Sequence, residues 1–246
     1  MALKITFIGH ASVLVSFNNQ NYLLDPVYNR GVVFFHRKTP PGISLEQLPP
    51  IHGIFVSHGH YDHFDRWTLK KFPRSTPLVM AKGLGIYMRN LGFTDVHELT
   101  TWQTVSIGDL RVTAAPAQHS GKQPFFHKRS VFIGFILEHK AGTIYFAGDT
   151  GYFPGFKEIK KRFEIDVALL PIGAYRPKKN RKKHMNPPDA LRAFQDLGAK
   201  WMIPIHWGTF HLGWEPINEP IDWLKELIRG RNLSVKILYP GESAVF

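Results

Sequence analysis

Four apolar, strand-like runs spread along the chain each end on a residue able to ligate a metal ion, and a fold that serves all four must gather those ends in one place. The first, Gly53-Ile54-Phe55-Val56, breaks into Ser57-His58-Gly59-His60-Tyr61-Asp62-His63-Phe64-Asp65, which packs three imidazoles and two carboxylates into one short loop. Leu110 to Ala115 leads into Pro116-Ala117-Gln118-His119. Thr143 to Ala147 runs into Gly148-Asp149-Thr150-Gly151, and Trp201 to Ile205 into His206-Trp207-Gly208. Side chains placed where buried strands give way to loops can converge on a single point.

The spacing predicts how the ligands divide. In an extended segment positions i and i+2 share a face, so His58 and His60 can grip one cation, while a turn after Tyr61 lets Asp62 and His63 address a second. Asp149, flanked by glycines, can offer one oxygen to each. The expected centre has His58, His60 and His119 on one metal, Asp62, His63 and His206 on the other, and Asp149 between them. The chain has no cysteine, which excludes disulfides and thiolate ligation and leaves an all-nitrogen-and-oxygen site. Such ligands suit two Zn²⁺ ions, and Mn²⁺ or Fe²⁺ can occupy the same set. Two neighbouring cations lower the pKa of a shared water, which Asp62 is expected to hold or deprotonate. The metals alone do not separate attack on phosphorus from attack on a carbonyl.

Through His58-x-His60-x-Asp62-His63, His119, Asp149 and His206 the chain resembles the metallo-β-lactamase superfamily of hydrolases. Within it, the chain is most similar to the N-acylphosphatidylethanolamine phospholipase D group and its bacterial relatives. The matching segments are Gly9-His10-Ala11, Leu48 to Ile51, Ser57 to Asp65, Pro116 to His119, Phe146 to Tyr152, Pro171 to Tyr175 and Ile205 to Phe210. The resemblance implies an α/β (α+β) four-layer αββα sandwich with metals held by loops along one edge of its sheets. It also implies a phosphodiesterase of phospholipase D type acting on N-acyl ethanolamine phospholipids or a related phosphodiester. A lactonase or other carbonyl hydrolase acting on a phosphorylated metabolite is the alternative on the same fold. A metal-stabilised module binding anionic surfaces is the non-enzymatic one. β-Lactamases of the superfamily commonly carry a cysteine where Asp149 stands, so a β-lactam substrate is disfavoured. In the phospholipase group a histidine matching His184 sits beside the substrate phosphate, which implies that His184 orients that phosphate or protonates a leaving group. His10 is open between a buried structural role and a catalytic one. Two departures bear on the substrate: the relatives' extra amino-terminal, membrane-groove segment has no counterpart before the first strand, and Ile133 stands where a tryptophan is common.

At 246 residues, without a Ser/Gly-rich or Pro-rich linker, the chain is expected to form one domain over 1–246. Further strand patterns cover Lys4 to Ile8, Ser12 to Phe17 and Val131 to Leu137. Helical patterns cover Asp65 to Phe72, Gly83 to Leu91, Phe156 to Phe163, Pro187 to Leu197 and Pro220 to Arg229. Asn186 and Pro187 read as the N-cap and first position of a helix that Gly198 ends, which puts His184 just ahead of a helix N-terminus. The chain enters its first strand without a signal-like leader and has no apolar run of about 20 residues, so a cytoplasmic protein is expected, with peripheral membrane contact left open. A formal net charge of +12 favours anionic partners, either a phosphate-containing small molecule or a phospholipid. Much of that charge lies in Arg176 to Lys183, a segment open between a solvated surface loop and a phosphate-attracting rim of the metal mouth. Nucleic acid is disfavoured, because no RNA-binding motif is present. Phe34-Phe35 and Phe125-Phe126, each near basic residues, fit lipid contact or an acyl channel, and fit core packing equally.

Overall fold

The computed structural model describes residues 2–121 and 130–246; the Phe125-Phe126 pair lies outside the described residues. The strands are β1 (Leu3–Gly9), β2 (Ser12–Phe17), β3 (Gln20–Leu24), β4 (Gly31–Val32), β5 (Phe35–His36), β6 (Gly53–Val56), β7 (Leu78–Ala81), β8 (Val96–Leu99), β9 (Thr104–Ile107), β10 (Leu110–Pro116), β11 (Ile133–His139), β12 (Gly142–Phe146), β13 (Val167–Pro171), β14 (Trp201–Ile205) and β15 (Ser243–Val245). The helices are α1 (Arg66–Leu69), α2 (Gly85–Arg89), α3 (Gly155–Arg162), α4 (Pro187–Leu197) and α5 (Glu219–Ile228), with a 3-10 turn over Lys178–Lys182.

Local chemistry explains several boundaries. Asp65 caps α1 instead of opening it, its side chain accepting a hydrogen bond from the Trp67 backbone N–H. Pro73 lies just beyond and disfavours helix at Phe72, so the helix expected to reach Phe72 ends at Leu69. Helix α4 follows its sequence signals throughout: Asn186 accepts from the Asp189 N–H, Pro187 opens the first turn, and Gly198 closes the helix in the left-handed region at φ 61°. The two-residue connection between β2 and β3 is Asn18-Asn19, both at positive φ, which matches the right-handed twist of the paired strands. The strand expected from Val131 starts at Ile133 instead.

The first sheet has the order β15-β1-β2-β3-β6-β7-β8 and the second β14-β13-β12-β11-β10-β9. They face one another across a shared apolar layer, as the Phe55 ring of β6 against Phe135 of β11 shows, with centroids 5.7 Å apart. Helix α4 lies on β13 with α3 and α5 against it, and α2 lies beside β8, giving helices on both outer faces. This is the four-layer αββα arrangement, and it accounts for strands such as β6, β7 and β13, which are buried at every residue. Among the described residues, no helix is long and apolar enough to cross a membrane.

Strand direction is what positions the site. In the first sheet β1 is antiparallel to β2 and β2 to β3, while β3 and β6 are parallel, so β1, β3 and β6 all run the same way. In the second, β10 and β12 both oppose β11, and β12, β13 and β14 are parallel, so β10, β12 and β14 share a direction. Every strand that leads into a loop carrying candidate ligands therefore delivers it to the carboxyl end of its sheet, where α/β folds build their sites.

Candidate metal centre

The loop after β6 turns sharply: the backbone N–H groups of His63 and Phe64 both donate to the His60 carbonyl, at 3.0 and 2.8 Å. The turn sends Asp62 and His63 to one side and leaves His58 and His60 on the other. Two glycines then allow the loops of the two sheets to close up. Gly148 sits at φ +58°, and a Cβ there would come within 2.8 Å of the Ser57 side chain. A Cβ on Gly173 would lie 2.2 Å from the His206 carbonyl oxygen. Side chains at either position would push Asp149 or His206 away from the centre.

Two groups of ligand atoms result. His58 Nε2 lies 3.0 Å from His60 Nδ1, which lies 3.1 Å from His119 Nε2. Asp149 Oδ2 is 4.0 Å from His58 Nε2 and 3.8 Å from His119 Nε2. On the other side, Asp62 Oδ2 is 3.3 Å from His206 Nε2 and 3.5 Å from His63 Nε2. Asp149 faces this group as well, with Oδ1 3.1 Å from His206 Nε2 and Oδ2 3.4 Å from His63 Nε2. All seven residues singled out by the strand-end pattern are brought together; Asp149 faces both groups, and His10 gathers with Asp62, His63 and His206.

The donor set fits divalent cations. A tetrahedral ion with metal–nitrogen bonds of about 2.0–2.1 Å separates its ligand atoms by about 3.3 Å, close to the edges just given. Among the described residues, His63 Nε2 and His184 Nδ1 are buried yet have no hydrogen-bond partner, although they lie only 3.4 and 3.6 Å from Asp149 Oδ2. Buried polar atoms are rarely left in that state without a ligand to complete them.

Electrostatics divides the two groups. Burial, reinforced by neighbouring imidazoles, holds His58 well below its ordinary value and His119 at about 4, and burial lowers His60. Those three rings are neutral near pH 7 and present free lone pairs. Burial would lower His63 and His206 too, but the carboxylates of Asp149 and Asp62 outweigh it, together with Asp25 for His63. They raise His63 well above its ordinary value and His206 to about 9. In turn His63 and His206, with His10 beside Asp62 and His184 beside Asp149, hold both carboxylates well below the usual range despite their burial.

Asp25 is a site residue that the strand-end pattern did not flag. It follows β3 at φ 39° and is fully buried. Its Oδ2 accepts from His63 Nδ1 at 2.6 Å and from Ser57 Oγ at 2.5 Å, and its Oδ1 accepts from the Ser57 N–H at 2.7 Å. With its hydroxyl proton given to Asp25, Ser57 Oγ accepts from His58 Nδ1 at 3.0 Å. One carboxylate thus orients two rings, directly for His63 and through Ser57 for His58, so that their Nε2 atoms turn towards the centre. Leu23-Leu24-Asp25-Pro26 carries the same strand-then-ligand signal as the other four runs, but Asp before Pro also reads as an ordinary turn. Asp25→Asn is expected to weaken metal binding about 10- to 100-fold, measured by competition with a chromophoric chelator. Wild-type affinity in the variant would remove this role.

His10, open between two roles in the sequence, stands behind Asp62. Burial, with His206 beside it, holds its pKa at about 3, so it is neutral and its Nε2–H donates to Asp62 Oδ2 at 2.9 Å. The ring lies 4.0 Å from that of His206 and meets Phe210 edge-on, and the His206 N–H donates to the His10 carbonyl at 2.7 Å. His184 Nδ1 lies 3.6 Å from Asp149 Oδ2, and its ring is 4.9 Å from that of His119. The basic segment reaches the centre directly, since the Lys183 carbonyl accepts from His119 Nδ1 at 2.8 Å.

Residues 20–207 match the model of the beta-lactamase superfamily domain. The N-acyl-phosphatidylethanolamine-hydrolyzing phospholipase D 1 of Caenorhabditis elegans is 34% identical over 251 residues, covering 93% of this chain and 70% of that protein. A metal-dependent hydrolase of Methanopyrus kandleri is 30% identical over 247 residues, covering 98% of this chain and 99% of that one. Among solved structures, a metallo hydrolase from the archaeon Ignicoccus hospitalis shares the fold, with a TM-score of 0.78 at 22% identity over 100% of this chain and 99% of its own.

Proposed function

This chain belongs to the metallo-β-lactamase superfamily and is a metal-dependent hydrolase, and from that premise we propose that it is a paired-cation phosphodiesterase of phospholipase D type. Its substrate is an N-acyl ethanolamine phospholipid or a closely related phosphodiester. The phospholipase of Caenorhabditis elegans, similar along nearly the whole chain, supports the substrate class.

His58, His60 and His119 would hold one cation and Asp62, His63 and His206 the other, with Asp149 shared. Two Zn²⁺ ions suit this all-nitrogen-and-oxygen set, and Mn²⁺ or Fe²⁺ would be accepted by the same atoms. When bound, such ions supply Lewis acidity and an activated water near neutral pH. Asp62, its carboxylate held by His10, is placed to orient the attacking water and take its proton.

The observation that carries a phosphate-bearing substrate is the rim around His184. Burial and the adjacent His119, His206 and Lys183 outweigh Asp149 and hold His184 at about 3, so near pH 7 it is a neutral N–H donor suited to a phosphate oxygen. Lys178, Lys179, Lys182 and Lys183 precede it, Arg181 among them being paired with Asp189, and the Lys183 carbonyl accepts from His119. An anion arriving at the centre meets this positive rim first.

Metal-loaded protein incubated with N-acyl phosphatidylethanolamine is expected to release phosphatidic acid, read by mass spectrometry. Ring-opening of lactones with no phosphodiester cleavage across Zn²⁺, Mn²⁺ and Fe²⁺ loadings would overturn the proposal.

A further inference from the structure

We propose that the β4–β5 hairpin is a docking finger for anionic phospholipid surfaces, with Val33-Phe34-Phe35 inserted at its tip. Phe34 is 89% exposed, Val33 63% and Phe35 42%. An apolar tip of this kind gains nothing from water, and it is unusual in a second respect. Val33 sits at φ 53°, a conformation that glycine or asparagine takes easily and a β-branched residue does not. A bulky apolar side chain kept at a strained turn position points to a use for that side chain outside the fold.

The base of the finger is fixed. Arg37 donates to the carbonyls of Asn29 and Val27, at 3.1 and 2.5 Å, and its guanidinium lies 4.8 Å from the centre of the Phe210 ring. The Lys38 N–H donates to the Thr209 carbonyl and the Thr39 hydroxyl to the Gly208 carbonyl, both at 2.8 Å. The finger is thereby tied to the loop that carries His206. Val32 packs with Phe210, whose ring meets that of His10 behind Asp62, so the finger stands beside the centre.

Charge selects the occupant. Between Pro26 and Ile43 there is no acidic residue, while Arg30, Arg37 and Lys38 are present. Across a crevice of about 240 Å³ lined by Val33 stands α1, with exposed Trp67 and Arg66 and with Lys70 and Lys71 just beyond. An apolar tip within a basic collar matches the layering of an anionic bilayer, apolar below and negative at the surface. A two-fold contact with a second copy would set the collar against itself.

Co-sedimentation of the metal-loaded 246-residue chain with vesicles tests this independently of any turnover, so failure of the phospholipid-cleavage proposal would leave the result intact. Wild-type protein is expected to pellet with phosphatidylcholine–phosphatidylglycerol vesicles, and less with phosphatidylcholine alone or at high salt. The double variant Val33→Ser, Phe34→Ser removes side chains that pack little on the fold, and should lower partitioning about tenfold or more. Arg30→Ser with Lys38→Ser should weaken the preference for anionic vesicles, because it removes two of the collar's cations. The proposal is overturned if wild-type protein does not pellet, or if the tip variant pellets equally. Concentration-dependent self-association that the tip variant abolishes, without vesicle binding, would assign the finger to a second copy instead.

Discussion

Replacing Asp149 by Asn is expected to cut phosphodiester turnover at least about a thousandfold, the equivalent of about 4 kcal/mol of transition-state stabilisation. The substitution keeps the shape of the side chain, so the loop after β12 and the close approach at Gly148 survive. What it removes is a charge that faces both groups of candidate ligands, at 3.1 Å from His206, 3.4 Å from His63 and 3.8 Å from His119. An amide can offer a single carbonyl oxygen to one group and presents N–H donors to the other, where they would repel a cation. Metal content should fall together with activity. Near-wild-type turnover in the variant would show that Asp149 is not shared between two ions.

The second large effect concerns removal of metal. Ligands that bind only the folded state stabilise it by about 4 kcal/mol at a thousand times Kd, which for a chain of this size corresponds to about 10 °C in Tm. Chelation should therefore lower Tm by roughly that amount at pH 7, and the gap should depend on pH in a specified direction. In the metal-free protein His63 and His206 hold protons because Asp149 and Asp62 face them. A pKa raised on folding contributes stability that is complete below the unfolded value of about 6.5 and is lost as pH climbs through the folded value, about 9 for His206. The metal-free protein should thus lose stability between pH 6.5 and 9. Cations compete with those two protons, so their affinity rises over the same interval and the Tm gap widens. His58, His60 and His119, already neutral, should fill first and with weak pH dependence. Differential scanning fluorimetry at several pH values, with and without chelator, reads both trends. A gap that narrows towards pH 9 would contradict the assignment of His63 and His206 as proton-competed ligands.

Much of this cluster was legible because its candidate ligands announce themselves locally. A polar metal-binding residue directly after an apolar run is a one-dimensional signal, and it singled out His58 to His63, His119, Asp149 and His206 without knowledge of strand pairing. Helix α4 was equally readable, since Asn186, Pro187 and Gly198 act through their own backbone geometry. The orienting groups were harder. Asp25 carries the same signal but precedes proline, and its bond to His63 spans 38 positions. His10 holds Asp62 only because β1 and β6 run in the same direction, which depends on the non-local pairings of β2 and β3. The hairpin of β4 and β5 was missed as structure because two-residue strands show no alternation to detect, although Phe34-Phe35 stood out as an apolar pair.

The claim on which the rest depends is that one loop cluster at the carboxyl edge of both sheets holds two cations. Elemental analysis of wild-type protein, stripped with chelator, reloaded with Zn²⁺ and passed through gel filtration, tests it most directly. Two equivalents of zinc per chain are expected. A single equivalent, or none, would contradict the account.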